Sequence, residues 1–439
     1  VVHHLNEWLD PRGIDNHSFW KLTEEDRERP YFWRFWRALP AAGQIGIFFG
    51  GWYAAPLDAR VNGKMEATPM DRELGRIAAL EQMLVEDGAL VVKFWYHLSR
   101  KAQRKRFRQL EDKPGEHVQV PPIDRRRLKR YPQFVRAAEQ MIRRTDTGYA
   151  PWHLIESANP RYRDLTTGRL LLEAIQARLG KESGRAAAKP PGRRQAAAVR
   201  RPATTVLDRV DLSQSVGKQE YEKRLEKEQL ALNRLAWKAY EQRTSSVLVF
   251  EGWDAAGKGS AIRRVTEAID ARLYRVIPIA APTEEERAHH YLWRFWRHLP
   301  RVGMVAIFDR SWYGRLLVER VEGFARADEW MRAYHEINEF EKQLVEHGVV
   351  LLKFWIHIGK DEQMRRFHKR ETVAHKHYKI TPEDWRNRNQ WGAYEHAVHD
   401  MVTRTSTAEA PWTLVAGNNK RFARLQILET FCRRLKKAL

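Results

Sequence analysis

SVLVFEGWDAAGKGS, residues 246–260, decides how this chain is read. An apolar run, SVLVF, is followed by Gly252, Trp253, Asp254, Ala255, Ala256, Gly257, Lys258, Gly259 and Ser260, and then by a helical pattern, AIRRVTEAIDARL. Strand, glycine loop, lysine and helix in that order form a phosphate cradle. The glycines let the backbone wrap oxygens, and the helix start supplies free N–H donors and a favourable dipole. Lys258 would neutralise a transferred phosphate. Two details depart from the usual motif. Gly259 stands where a metal-binding Ser or Thr follows the lysine, with Ser260 one place later. Asp254 lies inside the loop, where a carboxylate would repel phosphate unless a cation intervened. Asp254 is therefore expected to hold Mg²⁺, directly or through water; the alternative is an aspartate that only shapes the turn.

Outward from the loop, further apolar runs end at Ile279, Phe308, Ile358 and Gly417, separated by helical patterns such as 328–346 and 382–404. This alternation predicts an α/β fold with a mostly parallel sheet. A charged helix over 219–243 should lie outside it. The run MVAIF ends in Asp309-Arg310-Ser311-Trp312-Tyr313-Gly314-Arg315. A carboxylate at that strand end is expected to be the second metal ligand, unless it caps the next helix. Arg310 and Arg315 could grip phosphate oxygens. After Ile358, Arg366, Lys369 and Arg370 fall at i, i+3 and i+4, with Lys376, His377, Lys379, Arg386 and Arg388 beyond. The pattern predicts a basic helical lid that closes over phosphate.

The chain repeats itself. Residues 30–53 and 290–313 match at thirteen of 24 positions at a shift of 260, and the register holds from Val1 to Leu179. The 439 residues thus divide into a first copy, 1–179, a Pro/Ala/Gly/Arg-rich linker, 180–205, and a second copy, 206–439. The shift places Val1 opposite Ala261, so the first copy's phosphate loop is expected before the residues given, as is the initiating methionine. Phe49, Gly50, Gly51 and Ala55 replace Asp309, Arg310, Ser311 and Arg315, which predicts a catalytically dead copy. It keeps Lys93, Arg104, Lys105, Arg106 and Arg108, which could hold a polyanion without catalysis; plain structural support is the competing expectation.

A net charge of +22 points to an anionic partner without choosing between nucleic acid, membrane and a polyanionic substrate. One cysteine, Cys432, suits a reducing, cytoplasmic setting and reads as a packing residue. No apolar run is long enough to span a membrane. The WRFW motifs at 33–36 and 293–296 have the i, i+3 spacing of a buried helix face, and His289-His290 reads as surface.

The segments EGWDAAGKGS, FDRSWYGRLLVERV, KFWIHIGKDEQMRRFHKR and RTSTAEAPWTLVAGNNKRFARL resemble the second polyphosphate kinase family, closely from Ser246 onward and more weakly over 1–179. The resemblance implies a thymidylate-kinase-like P-loop kinase, a three-layer α/β/α fold with a helical lid, here as two tandem copies. It implies Mg²⁺-dependent phosphoryl transfer between inorganic polyphosphate and an adenine nucleotide. The two-domain subgroup implies AMP as acceptor and activity mainly in the second copy. By this resemblance Lys258, Asp254, Asp309, Arg310, Arg366 and Arg370 are catalytic. Gly252, Gly257, Gly259, Ser260, Arg315, Lys353 and Lys369 bind phosphate or nucleotide, and Asp254 and Asp309 carry the metal. Self-association is common in such families. Two alternatives stay open: a polyphosphate-dependent ADP-to-ATP kinase, and a basic P-loop protein that binds nucleic acid, the less favoured partner.

Overall fold

The computed structural model describes residues 1–19, 22–111, 122–187, 204–373 and 380–439. Lys376, His377, Lys379 and most of the linker fall outside them. The chain forms two compact units: residues 1–21, 38–195 and 288–290, and residues 22–37, 196–287 and 291–439.

The first unit holds β1 (Ile14–Ser18), β2 (Ile45–Phe49), β3 (Lys93–His97) and β4 (Trp152–Glu156), with helices α1 (Ala67–Glu86), α2 (Arg100–Glu111), α3 (Pro122–Lys129), α4 (Tyr131–Thr145) and α5 (Pro160–Ala187). β1 pairs with β2 and β3 with β4, both in parallel. Helix α5 runs on to Ala187, past the expected linker start at 180.

The second unit holds α6 (Lys218–Glu241), β5 (Ser246–Gly252), α7 (Lys258–Thr266), β6 (Tyr274–Pro278), β7 (Val305–Asp309), α8 (Ala327–Glu346), β8 (Val350–His357), α9 (Lys360–Thr372), α10 (Pro382–Asn389), α11 (Trp391–Thr405), β9 (Trp412–Ala416) and α12 (Lys420–Ala438). Its five strands pair in parallel in the order β6-β7-β5-β8-β9. Every residue of β8 is buried, and all of β5 but Gly252. Such buried, mostly apolar runs are what a parallel sheet covered by helices requires. Helix α7 packs on β5 and β7, α8 on β8, and α12 on β8 and β9. This is the α/β, parallel-sheet arrangement that the sequence predicts. Helix α8 buries Ala333, Ile337, Phe340 and Leu344 along one stripe. Tyr221 and Leu225 of α6 meet Phe422 and Leu425 of α12, so the charged helix is amphipathic and lies on the outside as expected.

The 382–404 segment forms two helices rather than one, broken at Gln390 after an Asn-Arg-Asn run of modest helix propensity. Trp33, Trp36, Trp293 and Trp296 are all buried, and Trp36 stacks on Trp296 within the second unit. Cys432 is buried against Glu228, and burial pushes its thiol up to about 12. His290 corrects its surface reading: it is buried at the turn leading into the WRFW helix, where the first copy buries Pro30.

Candidate active site

The order β6-β7-β5-β8-β9 puts the first strand of the unit in the middle of the sheet, with connections leaving on either side. The crevice at the strands' carboxyl ends is where an open α/β sheet binds ligands. Here β5 ends in the glycine loop and β7 ends in Asp309. Gly252 must be glycine: a Cβ there would lie 2.6 Å from the Ile356 carbonyl oxygen of β8. Gly257 caps α7, and the Ser260 hydroxyl donates back to the Gly257 carbonyl at 2.8 Å. A Cβ on Gly259 would meet open space. Lys258 Nζ donates to the carbonyls of Gly252 (2.6 Å) and Trp253 (3.4 Å), folded back across its own loop.

Asp254 does not shape its own turn. Its Oδ2 accepts from Asn387 Nδ2 at 2.9 Å, and its Oδ1 lies 3.6 Å from the Arg310 guanidinium. Asp309 does not cap the next helix either. Ser311 does that, accepting from the Tyr313 N–H at 3.3 Å, while the Ser311 hydroxyl donates to buried Glu251 at 2.8 Å. Burial pushes the Glu251 carboxyl up, against the pull of Lys258 and the Ser311 hydrogen bond. Arg310 is held at φ 66°, a left-handed conformation that non-glycine residues rarely adopt. Burial pushes its guanidinium down, but Asp254 and Glu251 outweigh this and hold it charged.

Four residues are placed otherwise than the sequence reading has them. Lys353 is fully buried and donates to Glu341 (2.7 Å), the Tyr313 hydroxyl (2.9 Å) and the Thr405 carbonyl (2.7 Å). It sits in a buried ion pair rather than pointing an open donor toward the loop. Arg366 is buried too. Its donors go to Glu362 and to the carbonyls of Ala255, Ala256, Gly417 and Asn418. It clamps the phosphate loop to the turn after β9 and has no donor left over. Arg366, Lys369 and Arg370 do lie along one side of α9, but they are not three free cations: Lys369 is exposed, and Arg370 lies 3.7 Å from Asp384. Arg315 stacks on Tyr291 and pairs with Glu319 at 3.2 Å. A guanidinium at the end of a short 3-10 turn reaches whichever carboxylate is nearest, and motif spacing does not reveal that.

Several residues here escape sequence reasoning. Asn387 binds Asp254 and is itself oriented by the Tyr394 hydroxyl, which donates to its Oδ1 at 3.1 Å. Gln363 donates to the Asp254 carbonyl. Trp253 stacks on Trp391 at 3.7 Å and 7°, and donates to His357 Nδ1 at 3.0 Å. Burial pushes His357 down to about 4. Lys420, at the start of α12, is pushed down to about 8 by burial and by neighbouring Arg366.

A strand-loop-helix phosphate cradle, a carboxylate at the adjoining strand end and a helical segment bonded to the loop make the second unit a P-loop phosphotransferase fold. Phosphotransferases of this class generally need a divalent metal. The profile of the polyphosphate kinase 2 family matches residues 1–183 and 215–439. The chain belongs to the polyphosphate kinase 2 family. It is 50% identical, over 97% of its length and 85% of the relative's, to a polyphosphate:AMP phosphotransferase of Pseudomonas aeruginosa. It is 49% identical to the polyphosphate:AMP phosphotransferase of Pseudomonas syringae pv. tomato, over 99% of this chain and 86% of that one. A crystal structure of a polyphosphate kinase 2 from Pseudomonas aeruginosa superposes with a TM-score of 0.87 at 48% identity, covering all of this chain and 86% of that one. Among the described residues no helix is long and apolar enough to cross a membrane.

Proposed function

We propose that this chain transfers a phosphoryl group from inorganic polyphosphate to AMP, giving ADP, at the phosphate loop of its second unit. The observation that carries this is the pair Asp254 and Asp309 on adjacent strand ends beside Lys258 and Arg310, in a chain half identical to proteins that bear that activity in their names. Two carboxylates suit Mg²⁺, which keeps water and phosphate oxygens in its shell. Bound there, it would neutralise charge between the donor's phosphates.

The chain's own residues do the rest. Lys258 leaves the carbonyls of its loop for the donor phosphate. Arg310 offers its guanidinium to the moving phosphoryl group, and Arg366 keeps the loop backbone in place. An AMP phosphate oxygen attacks the terminal phosphorus in line, and the bond to the shortened polyphosphate breaks. No protein nucleophile is needed, because positioning and charge carry this chemistry. The first copy is catalytically silent, the linker follows the end of α5 at Ala187, and 206–439 is the catalytic domain. A single buried thiol, Cys432, fits a cytoplasmic enzyme.

Purified protein incubated with Mg²⁺ and polyphosphate, with AMP and ADP offered separately, tests the reading by chromatography of the products. ADP formed from AMP is the expected result. ATP formed mainly from ADP would overturn the acceptor, and no conversion of either nucleotide would overturn the activity.

A further inference from the structure

Helix α2 of the first unit carries Lys101, Arg104, Lys105 and Arg108 at i, i+3, i+4 and i+7, all exposed. That spacing aligns them as one stripe about 10 Å long. Among the described residues none of the four is paired with a carboxylate. The half-buried side of the helix is Ala102, Gln103, Phe107 and Leu110. In the second unit the same positions of α9 are Asp361, Met364, Arg365 and His368, and Arg365 is tied to Glu362 at 2.8 Å. The counterpart of Glu362 is Ala102. One copy thus has four cations without a carboxylate partner among the described residues, where the other has an aspartate and a neutralised arginine. Like charges at i, i+4 cost a helix a few tenths of a kcal/mol per pair, and no ion pair among the described residues offsets that cost here. The adjoining helix α3 exposes Arg126 and Lys129 as well.

A stripe of this kind suits a linear polyanion. Single-stranded nucleic acid would want aromatic platforms for its bases, but the one aromatic residue of these two helices, Phe107, is not exposed. We propose that the outer face of α2, with α3, is a docking surface for the polyphosphate chain, holding it without reacting it. The proposal rests on polyphosphate being the donor, as proposed above. Docking raises the effective concentration of the remaining phosphates for the same protein molecule, and only chains long enough to be held gain from it.

The test is the quadruple variant Lys101→Gln, Arg104→Gln, Lys105→Gln, Arg108→Gln in the full chain, with circular dichroism to show that α2 persists. The KM for long polyphosphate should rise roughly five- to tenfold, with kcat and the KM for a donor of a few phosphates unchanged. The anisotropy of end-labelled long polyphosphate should show weaker binding, with the slope of log affinity against log salt reduced by about 3. Unchanged KM values, or an equal rise for long and short donors, would overturn the proposal. So would a loss of affinity for single-stranded RNA but not for polyphosphate. If the wild-type protein forms no ADP, the donor reading fails by itself, and the anisotropy arm still decides whether the surface docks polyphosphate.

Discussion

Lys93 and Lys353 occupy the same buried network in the two copies. Lys93 donates to Glu81, the Tyr53 hydroxyl and the Thr145 carbonyl, as Lys353 does to Glu341, Tyr313 and Thr405. Trp52 and Trp312 bind the same glutamates, and Trp152 and Trp412 the same threonines. A few residues away the copies part: β2 ends Phe49-Gly50-Gly51 and β7 ends Asp309-Arg310-Ser311. What both copies share is framework, and what differs is chemistry. The Asp254–Asn387–Tyr394–Glu322 contacts obey the same rule. Asn387, Tyr394 and Glu322 correspond to Arg127, Phe134 and Asn62.

The largest expected effect breaks the second copy alone. Asp309→Asn should lower turnover on the order of 10³-fold with an unchanged circular dichroism spectrum. Phe49→Asp in the first copy should leave turnover as it was. Near-normal turnover in the Asp309 variant would sink the metal assignment. Next comes the shared framework. Lys353→Met and Lys93→Met each strand a buried glutamate, at a cost of about 3–5 kcal/mol in denaturant unfolding. If Lys353→Met instead kept its stability and raised the KM for nucleotide, Lys353 would be a ligand after all.

Acid should separate the copies. His357 is buried and accepts from Trp253, while its counterpart His97 is exposed. The folded-state value of about 4 for His357 lies below its ordinary 6.5. Between those values the unfolded chain binds more protons, so stability rises with pH across the window and is lost as pH falls from about 6.5 to about 4. The loss is at most about 3 kcal/mol. Denaturation midpoints at several pH values should show this dependence flattened by His357→Asn. Asn387→Ala, which frees Asp254 from its lid contact, should cost about tenfold in kcat and raise the Mg²⁺ requirement, with less than 1 kcal/mol of stability lost. An unaltered Mg²⁺ titration would reduce Asn387 to packing.

The sheet was legible because parallel strands buried on both faces are mostly apolar runs. The strand ends at Phe308 and Ile358 lie within a residue of β7 and β8. The glycine loop was legible because its local order of strand, turn and helix is itself the site. The buried contacts of Lys353 and Arg366 were not legible because a basic residue near a phosphate loop looks the same in sequence whether it faces solvent or a buried carboxylate. The signal that could have separated them is internal: both persist as Lys93 and Arg106 in a copy lacking Asp309. Asn387 and Trp391 reach the loop only across more than 130 residues of chain, a distance that no local pattern encodes. Even so, their replacement by Arg127 and Tyr131 marked them as positions under a different demand.

The smallest effect concerns the backbone that both copies share. Position 50 is glycine at φ 75° and position 310 is arginine at φ 66°, so the turn after the strand needs a left-handed residue in either copy. A Cβ at Gly50 would make only ordinary contact, 3.5 Å from that of Ala54, so conformation alone sets the cost there. In the first copy glycine meets the turn without strain. In the second the guanidinium is placed beside Asp254 at a conformational cost of about 1 kcal/mol. Gly50→Ala should therefore destabilise by about 1 kcal/mol without touching turnover. Arg310→Gly should be more stable than Arg310→Ala by the same amount, with both variants impaired in turnover. Equal unfolding midpoints for the two Arg310 variants would mean that the turn relaxes once the arginine is gone. The strain would then belong to the Arg310–Asp254 contact and not to the turn that the two copies share.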